Sequence, residues 1–166
     1  PVLVEAEKAG ATCLLKGCIP SKALIHAAGL YHEMARASGA AGHLGTKLEA
    51  APKIDLAETV RWKDGVVDKL TGGVAALLRR AHVTVLTGWA SFVDAKSCTV
   101  ETADGAVKIE PEHVILATGS VPVELPFLPF GGNILSSTEA LSLTDLPRTL
   151  AVVGAGYIGL ELGIAF

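Results

Sequence analysis

The sequence predicts an α/β fold of dinucleotide-binding type, and two patterns carry that prediction. Near the C-terminal end, LAVVGAGYIGLELG sets an apolar strand, then Gly154, Gly156 and Gly159 in G-x-G-x-x-G order, then an apolar helix from Tyr157. Such glycines allow a tight turn, close approach of backbone to a pyrophosphate and close helix-on-strand packing. The helix N-terminus adds an anion site. The strand before and the helix after give the fingerprint its weight; a glycine-rich turn without ligand is the alternative. At the other end Val2-Leu3-Val4-Glu5 is an apolar strand closed by an acid. It resembles the second strand of such a unit, whose acid binds a ribose. A solvated carboxylate at a strand end is the alternative for Glu5. Together the two patterns read as the back of one dinucleotide unit and the front of another, in a chain cut at both ends.

The elements between them follow from periodicity. After the first strand comes GATCLLKGCIPSK, then a helix to about Arg36 with apolar residues at three- and four-residue steps. Ser38 to Lys53, rich in Gly and Ala without period, reads as a loop. A helical pattern runs from Asp55 through Val60, Val67, Val74 and Leu78, loosened at Gly72-Gly73. Short strands follow: VTVLTG, ASFVD, CTVET and AVKIE, with a turn at Ala103-Asp104-Gly105. Val114 to Ala117 reads as a further strand leading into Thr118-Gly119-Ser120. Pro122, Pro126 and Pro129 mark an extended crossing, and Ser136 to Pro147 a linker with one short helical turn. The expected organisation is residues 1–146 as one incomplete domain and 147–166 as the start of a second.

Composition narrows the function. The 166 residues are 50% hydrophobic with a net charge of −3, enough for a real core. No basic run points to nucleic acid or an anionic membrane. The longest apolar stretch, Leu150 to Leu160, is too short to span a bilayer. Three cysteines do not make a disulfide-stapled secreted fold, and no ligand set for a metal is expected. Cys98 in CTVET reads as a small hydrophobe on a strand.

Cys13 and Cys18 are the candidate chemistry. Five residues of regular helix span roughly 7.5 Å, whereas bonded cysteines want Cα atoms within about 7 Å. Both therefore cannot lie in one undistorted helix and bond. Gly17 and Pro20 supply a distortion, which places Cys13 in a loop or irregular first turn and Cys18 at the start of the long helix. There Cys18 feels the helix dipole, and Lys22 follows one turn on along the same face. Such surroundings favour a thiolate. A buried structural pair remains the alternative to a redox pair.

With these motifs the chain resembles the flavoprotein disulfide reductases, and within them the dihydrolipoamide dehydrogenases. The resemblance covers essentially the whole chain and is strongest in GATCLLKGCIPSKALIHAA, HVILATGSVPVELP, NILSSTEAL and VVGAGYIGLELG. Ile19-Pro20-Ser21-Lys22 follows the lipoamide pattern, where glutathione reductases read Val-Pro-Lys-Lys and mercuric reductases Val-Pro-Ser-Lys. The stretch from Val60 through WKDGVVDKLTGGVAALLRR and GWA is similar to bacterial members serving 2-oxo acid dehydrogenase complexes, nearest in pattern to the branched-chain one.

The resemblance implies two Rossmann-like FAD/NAD(P)-binding domains of three-layer architecture, both incomplete here. It implies FAD and NAD as cofactors and reduced lipoamide, carried on a lipoyl domain, as substrate. A homodimer in a bacterial-like cytoplasm is implied, with the mitochondrial matrix as the alternative. By position, Cys18 matches the thiol against the flavin and Cys13 the interchange thiol that meets substrate. Lys22 matches the lysine near flavin N5, with Glu161 as its partner. Tyr157 matches the ring over the nicotinamide pocket, beside Ile158, and Glu5 the acid on the adenosine ribose. Thr12, Ala90, Thr118, Gly119 and Ser120 match positions around the flavin cofactor. Two departures stand out: Ala11 replaces a glycine of the usual Gly-Gly-Thr-Cys, and Leu15 a common asparagine. Ala11 would crowd the cofactor if its backbone needs positive φ. The flavin glycine loop and the family's His–Glu base are expected outside this chain. A sister reductase and a non-catalytic nucleotide-binding fragment are the competing readings.

Overall fold

The computed structural model describes residues 1–39 and 42–166, so Ala40 and Ala41 of the expected loop lie outside the described residues. In chain order the elements are β1 (Val2–Glu5), α1 (Ala11–Lys16), α2 (Cys18–Ala37), α3 (Leu56–Arg80), β2 (Thr84–Asp94), β3 (Ser97–Thr102), β4 (Gly105–Ile109), α4 (Ser137–Ala140) and α5 (Tyr157–Ala165). The chain divides into two compact units. One comprises residues 1–15 and 69–120, the other residues 16–68 and 121–166.

The first unit is built on a mixed sheet in the order β1-β2-β3-β4. β1 pairs in parallel with the first half of β2, Val2 opposite Thr84 through Glu5 opposite Thr87. From Gly88 onward β2 pairs antiparallel with β3, which pairs antiparallel with β4. The expected separate strands VTVLTG and ASFVD are thus one strand. The switch of partner falls at Gly88, where a Cβ would collide with the Glu101 carbonyl oxygen. Only a residue without a side chain lets the backbones come so close there. Asp94 closes the β2–β3 turn by accepting from the Lys96 N–H at 2.7 Å and the Ser97 hydroxyl at 2.8 Å. The Lys96 bond, and then that of Ser97, holds its carboxyl below the ordinary range. The β3–β4 turn is Ala103-Asp104, with Gly105 at φ +118°. Cys98 is buried on β3 beside Val100, in keeping with a packing role.

The second unit is a junction of helices. Leu24 of α2, Leu56 and Val60 of α3, Leu141 at the end of α4 and Leu162 of α5 form its core. Asp55 starts α3 by accepting from the Glu58 N–H at 2.8 Å, an N-cap bond. α4 opens on a capping box: the Ser136 hydroxyl and the Glu139 carboxylate each satisfy an orphan backbone N–H. Hydrogen bonds centred on Ser136 lower the Glu139 carboxyl. The box is therefore complete above the ordinary glutamate range and is lost as pH falls through that lowered folded value.

Four further expectations are corrected. α3 runs unbroken through Gly72-Gly73, because two glycines cost a helix only about 1 kcal/mol each relative to alanine. Cys13 lies in a short helix, α1, and the distortion falls on Gly17, at φ −137° and ψ −114°, between α1 and α2. The other two corrections concern Val114–Ala117 and Leu150–Val153, which form no strand; Ile115 is 90% exposed. An apolar run becomes a strand only where a neighbour completes its hydrogen-bond ladder, and among the described residues neither run has one.

Candidate active site

Cys13 and Cys18 are joined as a disulfide, and both residues are exposed. The bond links the third residue of α1 to the first of α2, with Gly17 supplying the break in helical path that the spacing demands. One turn along α2, Lys22 Nζ donates to Glu161 Oε1 of α5 at 2.6 Å. Sequence position alone separates these two by most of the chain. They meet because Leu24, two residues after Lys22, and Leu162, next to Glu161, share one core cluster. The side chains are 59% and 33% exposed, so their pairing contributes at most about 1 kcal/mol to stability. What it does is fix a cation one turn from Cys18.

A second group of expected residues belongs to the first unit, and two of them, Thr12 and Gly119, come together there. Thr12 Oγ1 stands 3.1 Å from where a side chain on Gly119 would begin, and Gly119 has φ +75°. Loop 118–120 therefore comes against the start of α1 only because residue 119 is glycine. Glu5 ends β1 and accepts from the Glu7 N–H at 3.1 Å. Ala90 sits mid-β2 opposite Val100, on the antiparallel part of the sheet. Thr118 and Ser120 are exposed beside Gly119.

Ala11 has φ +56°, the left-handed region. A Cβ in that region crowds the following carbonyl and costs roughly 1–2 kcal/mol. Ala11→Gly in the full-length protein is expected to raise unfolding stability by about 1 kcal/mol in a urea titration. An unchanged or lowered midpoint would show that the turn carries no strain.

The C-terminal fingerprint folds as its glycines require. Gly154 has φ +100° and Gly156 is the N-cap of α5, with no side-chain cap bond. A Cβ at Gly159 would lie 2.9 Å from Val152 Cγ1 and 3.0 Å from the Gly154 oxygen, so α5 rests directly on the segment before it. Tyr157 and Ile158 are exposed on the first turn of α5. A free helix N-terminus behind glycines that admit a close approach fits a pyrophosphate. Left-handed Gly119 beside Thr12 likewise keeps the backbone clear of a side chain where a nucleotide would approach. Among the described residues, no helix is long and apolar enough to cross a membrane, and no three His, Cys, Asp or Glu side chains gather around a cation position.

Reasoning from sequence missed Lys63. Although charged, it is 3% exposed, donating from Nζ to the Leu141 carbonyl at 3.0 Å and pairing with Asp64 at 2.6 Å. A lysine in an amphipathic helix carries no signal of burial. The Ser136–Glu139 box was also missed, though its S-x-x-E spacing is readable.

The site thus presents an exposed disulfide, a cation one turn beyond Cys18 and a helix start bounded by glycines. The chain belongs to the pyridine nucleotide-disulphide oxidoreductase family, whose profile matches residues 1–166. It is closely related to dihydrolipoyl dehydrogenases. It is 57% identical to that of Pseudomonas aeruginosa over 166 residues, covering 99% of this chain and 35% of the relative. It is 44% identical to that of Geobacillus stearothermophilus, with 99% and 34% covered. Among solved structures it is similar to LpdA of Mycobacterium tuberculosis, with TM-score 0.75, 27% identity, and 88% and 32% covered. It is similar also to the HOCl-induced flavoprotein disulfide reductase RclA of Escherichia coli, with TM-score 0.75, 27% identity, and 99% and 33% covered. The chain spans about a third of the length of the curated relatives it matches. Family membership implies FAD and NAD binding and a Rossmann-type α/β fold.

Proposed function

We propose that the protein containing this chain oxidises dihydrolipoamide to lipoamide with NAD as acceptor, Cys13 and Cys18 being the redox pair. The observation that carries this reading is the exposed Cys13–Cys18 disulfide with Lys22, itself held by Glu161, one turn beyond Cys18. The disulfide chemistry follows from the residues present. A substrate thiolate attacks Cys13 Sγ; the Cys13–Cys18 bond breaks and Cys18 leaves as thiolate. The second substrate thiol, deprotonated by a base outside this chain, attacks the mixed disulfide. Oxidised substrate departs and Cys13 is released as thiolate, so two electrons pass from the dithiol to the cysteine pair. Exchange of this kind depends on thiolate fraction, leaving-group pKa and access. At Cys18 the helix start and the ammonium of Lys22 favour the thiolate and make it the better leaving group.

FAD, when bound, supplies the two-electron relay from the cysteine pair to NAD. Glu5, Thr12, Ala90, Thr118, Gly119 and Ser120 would hold the flavin cofactor. Gly154, Gly156, Tyr157, Ile158 and Gly159 would hold the nicotinamide cofactor, Tyr157 as a ring over its pocket. Lys22, neutralised on its far side by Glu161, would bring positive charge toward the flavin ring. The reading extends to two Rossmann-like domains, residues 1–146 and the start of a second at 147–166. The unpaired runs Val114–Ala117 and Leu150–Val153 would then complete parallel sheets with strands supplied by the rest of the protein. A homodimer acting on a lipoyl domain of a 2-oxo acid dehydrogenase complex, in the cytoplasm, completes the proposal.

The test is a steady-state comparison of full-length protein with dihydrolipoamide and NAD, glutathione disulfide and NADPH, and mercuric ion and NADPH. Preference for dihydrolipoamide and NAD supports the reading; preference for either other pair assigns the chain to a sister reductase.

A further inference from the structure

We propose that Lys63 is a positioning residue for the Lys22–Glu161 pair, acting through the carbonyl of Leu141; this rests on the flavin disulfide reductase reading above and deepens it. Among the described residues Lys63 is the charged side chain buried to core level. Burying an ammonium is costly unless it is paired and hydrogen-bonded. Here both conditions are met: the Leu141 oxygen lies at 3.0 Å and Asp64 Oδ1 at 2.6 Å.

The place of that contact explains its use. α4 has four residues, too few to hold a helix by itself. Its N-terminus is closed by Ser136 and Glu139, and it has no basic residue of its own in its last turn. Lys63, reaching across from α3, takes up the carbonyl of the C-cap residue. That residue, Leu141, also packs its side chain with Leu24 and Leu162. Leu24 sits two residues after Lys22 on α2, and Leu162 directly follows Glu161 on α5. Lys22 and Glu161 reach each other from different helices, so their meeting depends on where α2 and α5 run. Lys63 sets the joint on which both helices rest.

The experiment uses the full-length, flavin-loaded protein. Lys63→Met keeps an unbranched chain and removes the donor; Ser136→Ala loosens α4 from its other end. Each is made in the wild-type and in the Glu161→Gln background. The readouts are kcat and KM for dihydrolipoamide and the long-wavelength absorbance after two-electron reduction. Lys63→Met is expected to lower kcat about tenfold with KM unchanged and to weaken the band, yet to change little once Glu161 is glutamine, because coupled residues are non-additive. Ser136→Ala is expected to act in the same direction, about threefold, and carries the test if Lys63→Met does not fold. Unchanged kcat and band, or the same fractional loss in both backgrounds, would reduce Lys63 to a structural tie and overturn the proposal. A wild-type protein with no flavin overturns the underlying reading, and this proposal with it, before any variant is made.

Discussion

Cys18→Ser in the full-length protein is expected to abolish dihydrolipoamide turnover. The loss should be roughly a thousandfold or more, since two groups that act as one unit lose nearly everything when either goes. Cys13 would remain exposed and could still meet a disulfide. With serine at 18 there is no second sulfur, so no intramolecular bond exists for substrate to reduce and no thiolate forms beside Lys22. The long-wavelength absorbance that a thiolate against flavin produces on partial reduction should vanish as well. Persistence of that band in the serine variant would mean that Cys18 is not the electron-transfer thiol. Because Cys18 is an exposed first residue of α2, exchange of sulfur for oxygen leaves the helix and its core contacts intact.

The second large effect belongs to Gly159. Its α-carbon faces Val152 and the Gly154 oxygen, and a Cβ there would intrude at 2.9 and 3.0 Å. Gly159→Val must push α5 away from the segment before it. Overpacking of this kind costs about 1–3 kcal/mol, which would weaken NAD binding by roughly tenfold to a hundredfold. The displaced helix also carries Glu161, so the Lys22 contact should loosen too. Flavin content is expected to stay near that of the wild-type, because the residues assigned to FAD lie elsewhere. Equal loss of FAD and NAD would mean that the glycine serves general folding, not one nucleotide. An unchanged NAD affinity would mean that the fingerprint does not hold a nucleotide at all.

Local pattern was enough for some of this architecture and insufficient for the rest, for reasons that differ by element. α2 and α5 were legible because their start signals and apolar spacing agree with where they pack. The Lys22–Glu161 contact was legible only by resemblance, since nothing local brings α2 and α5 together; that is decided by Leu24, Leu141 and Leu162. Val114–Ala117 and Leu150–Val153 misled because strand propensity is a property of a run, whereas a strand needs a partner. Gly88 misled in the opposite sense. A glycine inside a β pattern reads as a break, yet here it is the point at which one strand changes neighbours. Lys63 was invisible because burial of a lysine is set by the tertiary acceptor, the Leu141 carbonyl, and leaves no mark on helical periodicity.

The departure at Ala11 joins sequence to structure more closely. A glycine is usual there in the family the chain resembles, and the backbone does take a positive φ. Strain from that alanine sits two residues before Cys13 and beside Thr12, which packs against Gly119. Its first consequence is expected in stability and in affinity for the flavin cofactor, ahead of any change in thiol chemistry.

The central claim, that Cys13 and Cys18 form a redox pair served by flavin, is tested most directly by one measurement on purified full-length protein. Bound FAD is quantified by absorbance, and free thiols are counted before and after stoichiometric anaerobic reduction by NADH. The expected result is a yellow protein in which two additional thiols per chain become titratable, lost together in Cys18→Ser. A protein that binds flavin but gains no thiols would contradict it, leaving the disulfide a structural link.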